Sequence, residues 1–221
     1  MTEPPPLATS ARQRTLLDLL RAHPIIPVIT IERTEDAVPL ARALVAGGVK
    51  ALEITLRTPV AIEAARAIIA EVADAIVGLG TVLSAADLAR AQMIGARFAL
   101  SPGATPALLA AAGASKLPFV PGIASASELM AALAAGFDTV KFFPAVPAGG
   151  IPGLRALAGP FPQARFCPTG GIGEANFATW LQEPNVVAVG GSWLAPAAAI
   201  AKGDWRAITD GARRAMALAR G

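Results

Sequence analysis

Residues 51–82, ALEITLRTPVAIEAARAIIAEVADAIVGLGTV, contain the pattern that decides the fold. A short apolar run, ALEITL, is followed by an alanine-rich segment with apolar residues at helical spacing, and then by a second apolar run, AIVGLGTV. These periodicities predict a strand, a helix and a strand in that order. Because the connections are short, we expect the two strands to be parallel and the helix to cover their sheet.

The same unit recurs along the chain. Eight apolar runs, spaced roughly twenty to twenty-six residues apart, begin at residues 25, 51, 75, 97, 118, 139, 165 and 186. Alternating strands and helices of this number predict an α/β protein, a single-domain (β/α)8 TIM barrel, with a doubly wound open sheet as the alternative. Helices are expected to start at Thr34, Thr58, Ser84 and Ser125 and to end near Gly47, Gly95, Gly113 and Gly136.

The N-terminal residues do not fit the repeat. We expect residues 1–10 to be a flexible leader, residues 11–221 to form the barrel, and LLDLLRAHP (16–24) to be an extra N-terminal helix that closes its bottom. The start of the chain lacks the pattern of a signal peptide, and no apolar run reaches the ~18 residues of a membrane-spanning helix.

The composition favours a cytoplasmic protein that binds small molecules. The 19 Lys and Arg residues are scattered, the net charge is only +3 and Tyr is absent, which argues against a nucleic-acid surface. Cys167 is the only cysteine, so no internal disulfide is expected, and it is interpreted as a packed thiol rather than a nucleophile. A single histidine, His23, excludes a His-rich metal site.

Two charged residues lie within the predicted strands. Lys141 is flanked by apolar residues in TVKFFP (139–144), and Glu53 lies in ALEITL on the same strand face as Arg57. Glu53 and Arg57 could form an internal ion pair, and Lys141 could extend to the barrel rim. Together, however, a desolvated lysine, a carboxylate and a guanidinium are the groups that imine chemistry on a ketone requires.

Two glycine-rich stretches follow the last two predicted strands. CPTGGI (167–172) and VGGSW (189–193) lie where barrel loops often bind phosphate through backbone N–H groups, and Ser192 adds a hydroxyl. Thr81, at the end of the third run, is either a carboxylate ligand or an ordinary strand residue. Pro102, at the end of the fourth run, is expected to shape a loop.

Long segments of the chain resemble the 2-keto-3-deoxy-6-phosphogluconate (KDPG) aldolase / 4-hydroxy-2-oxoglutarate (KHG) aldolase family. They are VPLARALVAGGVKALEITLRT, IVGLGTVL, SPG, PFVPGI, VKFFPA, GPFPQARFCPTGGI and GGSWL. The resemblance implies a (β/α)8 class I aldolase, commonly a homotrimer. Such an enzyme cleaves the phosphorylated keto acid to pyruvate and D-glyceraldehyde 3-phosphate in the Entner–Doudoroff pathway, and in some members cleaves 4-hydroxy-2-oxoglutarate to pyruvate and glyoxylate.

The resemblance also implies residue roles. Lys141 would form the imine, with no metal or other cofactor, and Glu53 would be the general acid and base. The remaining substrate contacts would be Arg57 and Thr81 at the carboxylate, Pro102 nearby, Phe143 beneath the imine, and Thr169, Gly170, Gly171 and Ser192 at the phosphorylated end. The alternatives are a 2-keto-3-deoxy-6-phosphogalactonate aldolase, a non-catalytic phosphate-ligand-binding trimeric barrel, and a phosphosugar isomerase.

Overall fold

The computed structural model describes residues 11–219, so the predicted leader at residues 1–10 lies outside the described residues. The strands are β1 (Ile25–Ile29), β2 (Ala51–Thr55), β3 (Ile76–Gly80), β4 (Phe98–Leu100), β5 (Phe119–Val120), β6 (Gly122–Ile123), β7 (Thr139–Phe142), β8 (Arg165–Phe166) and β9 (Val189–Gly191). The helices are α1 (Ala11–Ala22), α2 (Ala37–Ala46), α3 (Ala61–Glu71), α4 (Ala85–Met93), α5 (Pro106–Ala114), α6 (Ala126–Ala134), α7 (Gly150–Ala158), α8 (Phe177–Leu181), α9 (Ala197–Ala201) and α10 (Trp205–Ala219).

The strands form parallel, curled sheets. One sheet has the order β5-β4-β3-β2-β1-β9 and the other the order β6-β7-β8. Parallel bridges join Phe166 to Val186 and Thr169 to Gly190, so the segments around β8 and β9 are also neighbours. Apart from the breaks between β5 and β6 and between β8 and β9, strands adjacent in sequence pair with each other, and the last strand pairs with the first, whereas a doubly wound sheet reverses its strand order. The architecture is therefore α/β with a parallel, curled sheet, and it differs from the doubly wound alternative.

The fifth predicted run, residues 118–123, contains two short strands instead of one. Pro121 separates β5 from β6, and it cannot donate a hydrogen bond to the ladder because it has no N–H. Its carbonyl still accepts a hydrogen bond from the backbone N–H of Lys141, at 2.8 Å. The interruption therefore leaves β5 in one sheet and β6 beside β7 in the other.

The helix boundaries agree with the predicted caps at serine and differ at threonine. The hydroxyls of Ser84 and Ser125 accept hydrogen bonds from backbone N–H groups at the starts of α4 and α6. Thr58 is not a cap, because its hydroxyl donates to the carbonyl of Ile31 at 2.6 Å and α3 begins only at Ala61. Thr34 begins a 3-10 turn, Thr34–Asp36.

Three of the four predicted helix ends occur as glycines just beyond the helices, Gly47 after α2, Gly95 after α4 and Gly136 after α6, and the fourth lies one residue inside its helix. Gly95 and Gly136 follow the last turns of α4 and α6 with φ of +82° and +85°, where glycine is the residue of lowest strain. Gly113, by contrast, lies inside α5, which continues to Ala114.

The interior contains two clusters of buried apolar side chains. The larger lies between the sheets and the covering helices. In the smaller, Leu16 and Leu20 of α1 are fully buried together with Ile26, Phe98 and Val120. The apolar face of α1 is thus covered by residues of β1, β4 and β5. In residues 11–219, none of the helices has both the length and the apolar content needed to cross a bilayer.

Gly47, where α2 ends, allows close contact between α2 and α10. A Cβ atom at Gly47 would lie 2.4 Å from the Cβ of Ala212 and 2.7 Å from the carbonyl oxygen of Thr209. We expect Gly47→Ala to lower the free energy of unfolding by about 1–3 kcal/mol, since the two helices must separate. Urea denaturation measures this effect.

Gly113→Ala is the matched control for that experiment. A Cβ at Gly113 has no atom within 4 Å, and the residue is helical, so alanine should be neutral or stabilising by up to about 1 kcal/mol. Equal unfolding midpoints for the two variants would contradict the role given to the contact at Gly47.

Candidate active site

A buried ion pair joins the two sheets. Lys141 of β7 is 4% exposed and Glu53 of β2 is 1% exposed. The Lys141 Nζ donates to Glu53 Oε1 at 2.9 Å and to Oε2 at 3.2 Å. The two charged residues found by their position inside apolar runs are therefore direct partners.

Glu53 does not pair with Arg57, which corrects one alternative interpretation of the sequence. Arg57 is exposed and its Nε donates to Thr81 Oγ1 at 3.2 Å. Within residues 11–219, no salt bridge involves Arg57. Since Arg57 lacks a carboxylate partner there, its guanidinium can bind an external anion.

The carboxylate of Glu53 fits because the adjacent strand has a glycine beside it. Gly80 of β3 is the register partner of Thr55. A Cβ atom at Gly80 would lie 2.1 Å from Glu53 Oε1 and 2.7 Å from its Cδ. Any larger residue would have to displace the carboxylate, so the glycine in GLGTV determines where Glu53 can lie.

Thr81 has an unusual backbone conformation. Its φ is +57°. Among residues 11–219, it is the one residue other than glycine with a positive φ. A β-branched residue rarely adopts this conformation, which costs of order 1–3 kcal/mol and is commonest at functional sites. Here it accompanies the hydrogen bond to Arg57 and brings the Thr81 side chain to the mouth of the cleft.

A cleft of about 160 Å³ opens above the ion pair. It is lined by nine of the ten predicted site residues, Arg57, Thr81, Pro102, Lys141, Phe143, Thr169, Gly170, Gly171 and Ser192. The Lys141 Nζ lies 5.6 Å from the ring centroid of Phe143, within range of a cation–π contact. The tenth residue, Glu53, is the buried partner of Lys141.

Four lining residues were not predicted: Val28, Thr30, Ile172 and Gly191. Val28 and Thr30 lie in the first apolar run, IIPVIT, for which no site residue was predicted. Thr30 could have been found there, because the chemistry of a barrel is expected at the C-terminal ends of all its strands. Ile172 and Gly191 belong to the glycine-rich stretches CPTGGI and VGGSW, which were predicted to lie at the site although these two residues were not singled out.

The turn after β8 presents backbone donors. Gly170 and Gly171 have φ of +101° and +78°, and the Gly170 carbonyl accepts from the N–H of Val146 at 3.0 Å. The N–H of Gly171 donates no backbone hydrogen bond within residues 11–219, whereas the bridge between Thr169 and Gly190 places the Gly170 N–H opposite the Gly190 carbonyl. Successive N–H groups in such a turn can form an anion-binding concavity.

Cys167 lies next to the site but is a packed thiol. It is buried, and burial raises the pKa of its thiol to about 12, against the smaller opposing effect of the Lys141 charge. A free cysteine titrates near 8.5, so Cys167 is protonated at neutral pH. His23 lies at the start of β1, where partial burial and the charge of Lys50 lower its pKa.

Cys167 should be unreactive in the folded protein. At pH 8 the native chain should not react with Ellman's reagent on the time scale on which the urea-unfolded chain releases one thiol equivalent. The folded thiol is both inaccessible and protonated. The pKa of the Cys167 thiol is higher in the folded chain than in the unfolded chain. Its contribution to the free energy of unfolding is therefore lost as the pH rises above about 8.5. Equal labelling rates with and without urea would contradict the burial.

Comparison with known proteins identifies the family. Residues 16–210 match the family model described as "KDPG and KHG aldolase". A KHG/KDPG aldolase of Escherichia coli strain K12 is 52% identical over 198 residues, covering 90% of this chain and 93% of that protein. The chain belongs to the KDPG and KHG aldolase family.

Solved structures of family members have the same fold. The KDPG aldolase of Legionella pneumophila, with pyruvate captured at low pH as a covalent carbinolamine intermediate, is 49% identical with a TM-score of 0.87, covering 90% of this chain and 96% of that one. The KDPG aldolase of Zymomonas mobilis ZM4, with 3-phosphoglycerate, is 46% identical with a TM-score of 0.89, covering 93% of this chain and 97% of that one.

Proposed function

We propose that the chain is a class I aldolase that cleaves 2-dehydro-3-deoxy-6-phospho-D-gluconate to pyruvate and D-glyceraldehyde 3-phosphate. The single observation that carries the proposal is the buried Lys141–Glu53 pair at the floor of a cleft whose other polar groups can bind anions. The family members that have been solved with pyruvate and with 3-phosphoglycerate support the same reaction.

Lys141 supplies the nucleophile. Its proton passes to Glu53, 2.9 Å away, and the free amine attacks the C2 ketone to form a carbinolamine. Glu53 returns this proton to the C2 hydroxyl, which leaves as water, so that the protonated imine forms and Glu53 is again ionised. Phe143, close to the Lys141 Nζ, covers one side of the adduct, and burial of the amine keeps solvent from competing with it.

Glu53 then moves the protons of the cleavage step. It removes the C4 hydroxyl proton, the C3–C4 bond breaks, and the bonding electrons enter the imine to give the enamine of pyruvate. The C4 fragment leaves as D-glyceraldehyde 3-phosphate. Glu53 returns the proton to C3, and hydrolysis of the imine releases pyruvate and restores Lys141.

The two ends of the substrate have separate binding groups. The Arg57 guanidinium, oriented by Thr81, binds the C1 carboxylate, with Pro102 shaping the wall beside it. The phosphate lies at the turn formed by Gly170 and Gly171, where the Gly171 N–H is a donor. The hydroxyls of Thr169 and Ser192 are further donors: Ser192 is exposed at the cleft and Thr169 is buried.

The rival activities differ in what they require of the site. Cleavage of 4-hydroxy-2-oxoglutarate uses the same imine and remains part of the proposal. A phosphogalactonate aldolase would differ only in the hydroxyl stereocentre it reads, so steady-state rates on the three substrates decide between them. A non-catalytic barrel has no use for the buried pair of Lys141 and Glu53, and a phosphosugar isomerase needs a base but not a strand lysine beside an arginine.

The finer architecture is also a proposal. The two sheets are one closed (β/α)8 barrel, supported by the bridges between the β8 and β9 segments and by the single residue, Pro121, between β5 and β6. Residues 11–221 form this single domain, preceded by a leader at residues 1–10. Helix α1 covers the end of the barrel remote from the cleft, as its packing against Ile26, Phe98 and Val120 suggests.

The family resemblance supports three further expectations. The protein is a homotrimer, for which exposed Leu83, Met93, Met130 and Leu218 offer apolar surface. It acts in the cytoplasm, and its reaction needs no metal. In residues 11–219 no three His, Cys, Asp or Glu side chains are grouped to hold a metal ion.

Borohydride trapping tests the nucleophile. Reduction in the presence of pyruvate should add one pyruvyl group per chain, and peptide mass spectrometry should locate it at Lys141. Lys141→Gln should abolish both labelling and cleavage, since the amine is lost. The matched control Lys116→Gln, at an exposed loop lysine, should leave both unchanged. Labelling at another lysine in active protein would refute the assignment.

Exchange of the pyruvate methyl protons tests Glu53. In D₂O, Glu53→Gln should lower both substrate cleavage and deuterium incorporation into pyruvate by about 10²–10⁴-fold, because both reactions need the same proton carrier. Proton NMR follows the exchange. Glu63→Gln, on the exposed surface of α3, is the control and should retain wild-type rates.

Melting temperatures should accompany the Glu53 measurement, because an unpaired buried Lys141 destabilises the fold. A folded Glu53→Gln variant that exchanges pyruvate protons at the wild-type rate would contradict the proton-carrier role.

A further inference from the structure

Thr30 lies at a point of the cleft to which no role has yet been given. It follows β1, is half-buried and lines the cleft. In the sheet, β1 is between β2 and β9. Arg57, proposed to bind the carboxylate, follows β2, and Ser192, proposed to bind near the phosphate, follows β9. Thr30 is therefore placed beside the middle of the substrate carbon chain.

A short hydrogen-bond chain fixes the orientation of the Thr30 hydroxyl. The hydroxyl of Thr55, fully buried, donates to the carbonyl oxygen of Ile29 at 2.9 Å. The oxygens of Thr30 and Thr55 are 3.0 Å apart, so one of these hydroxyls donates to the other. A hydroxyl has one proton and a carbonyl has none. Both bonds form together only if Thr55 donates to Ile29 and Thr30 donates to Thr55.

The opposite arrangement makes one hydrogen bond fewer. If Thr55 donated to Thr30, the carbonyl of Ile29 would lose the Thr55 proton, and the Thr30 proton would have to find a partner in the cleft. Buried polar groups are costly when left unpaired, so the first arrangement is favoured. The Thr30 oxygen therefore presents lone pairs, and no proton, to the cleft. The Thr30 oxygen can therefore accept a hydrogen bond from a donor group on a bound ligand.

We propose that Thr30 accepts a hydrogen bond from the C5 hydroxyl of the phosphorylated substrate and so selects for a hydroxyl at that carbon. This inference rests on the proposed function. Of the groups on that substrate, the carboxylate and the phosphate are themselves acceptors. The C4 hydroxyl gives its proton to Glu53. The C5 hydroxyl is the donor that remains, and it lies in the part of the chain between C4 and the phosphate.

The same geometry works against 4-hydroxy-2-oxoglutarate. That substrate has a carboxylate at C5, which has no proton to donate and whose oxygens would meet the lone pairs of Thr30. A site built to pair with a hydroxyl rejects an analogue lacking it, because the protein group is then left unpaired. Thr30 thus sets the ratio of the two activities and takes no part in imine formation.

The experiment measures kcat/KM for both substrates in wild-type protein, Thr30→Val and Thr30→Ser. Valine keeps the shape and removes the acceptor, so the ratio of kcat/KM for 2-dehydro-3-deoxy-6-phosphogluconate to that for 4-hydroxy-2-oxoglutarate should fall about tenfold. Serine keeps the hydroxyl and should restore most of the ratio. A partly unfolded variant lowers both rates equally, so the ratio does not depend on the folded fraction.

Thr209→Val is the matched control. The Thr209 hydroxyl, on α10, donates to the carbonyl of Ala43 in α2, away from the residues that line the cleft, and its loss should leave the ratio unchanged. A ratio for Thr30→Val within twofold of wild type overturns this inference alone. Wild-type protein that cleaves neither substrate overturns the proposed function and this inference with it.

Discussion

The ion pair between Lys141 and Glu53 is the constraint to which the rest of the interior conforms. Removing one charge from water costs several kcal/mol even after relaxation, and the attraction between two buried charges offsets this only when their geometry is good. Here the Nζ contacts both carboxylate oxygens, at 2.9 and 3.2 Å, from side chains that are at most 5% exposed. Since the partners belong to β7 and β2, in separate sheets, the pair also fixes how the two sheets face each other.

Glycines on neighbouring strands leave space for the larger side chains of the interior, both polar and apolar. Gly80 makes room for the Glu53 carboxylate, and Gly78 makes room for the ring of Phe98, which a Cβ would approach to 2.3 Å. Gly190 likewise leaves room for Thr169, whose Oγ1 a Cβ would approach to 2.3 Å. Large side chains and glycines thus alternate between adjacent strands, which keeps the interior close-packed while leaving the cleft open.

Local patterns in the sequence predicted most of the fold. They did not predict the hydrogen-bond and ion-pair partners of individual side chains, because those partners are far apart in the sequence. Each of the eight apolar runs contains a strand, and a lysine and a glutamate inside such runs indicated where the candidate site lies. The pairing of Glu53 with Lys141 instead of Arg57 joins residues 88 apart, which periodicity cannot show. Thr58 resembled a helix cap but pairs with a carbonyl from another segment. The sequence of β1 alone does not distinguish Thr30 from an ordinary strand residue, since threonine is common in strands.

Stability and function make different demands on this interior. A buried ion pair is often 1–4 kcal/mol less stable than well-packed apolar residues of similar volume, and Thr81 in a left-handed conformation costs a further 1–3 kcal/mol. An α/β protein that served only as a scaffold would be more stable with leucine or methionine in place of Lys141 and Glu53, and with glycine in place of Thr81. Both costs fall on groups that line or underlie one cleft, beside Arg57. Their coincidence at one place is what the proposed reaction requires, since it needs an amine, a proton carrier and an anion ligand together, and a non-catalytic protein gives no reason for it.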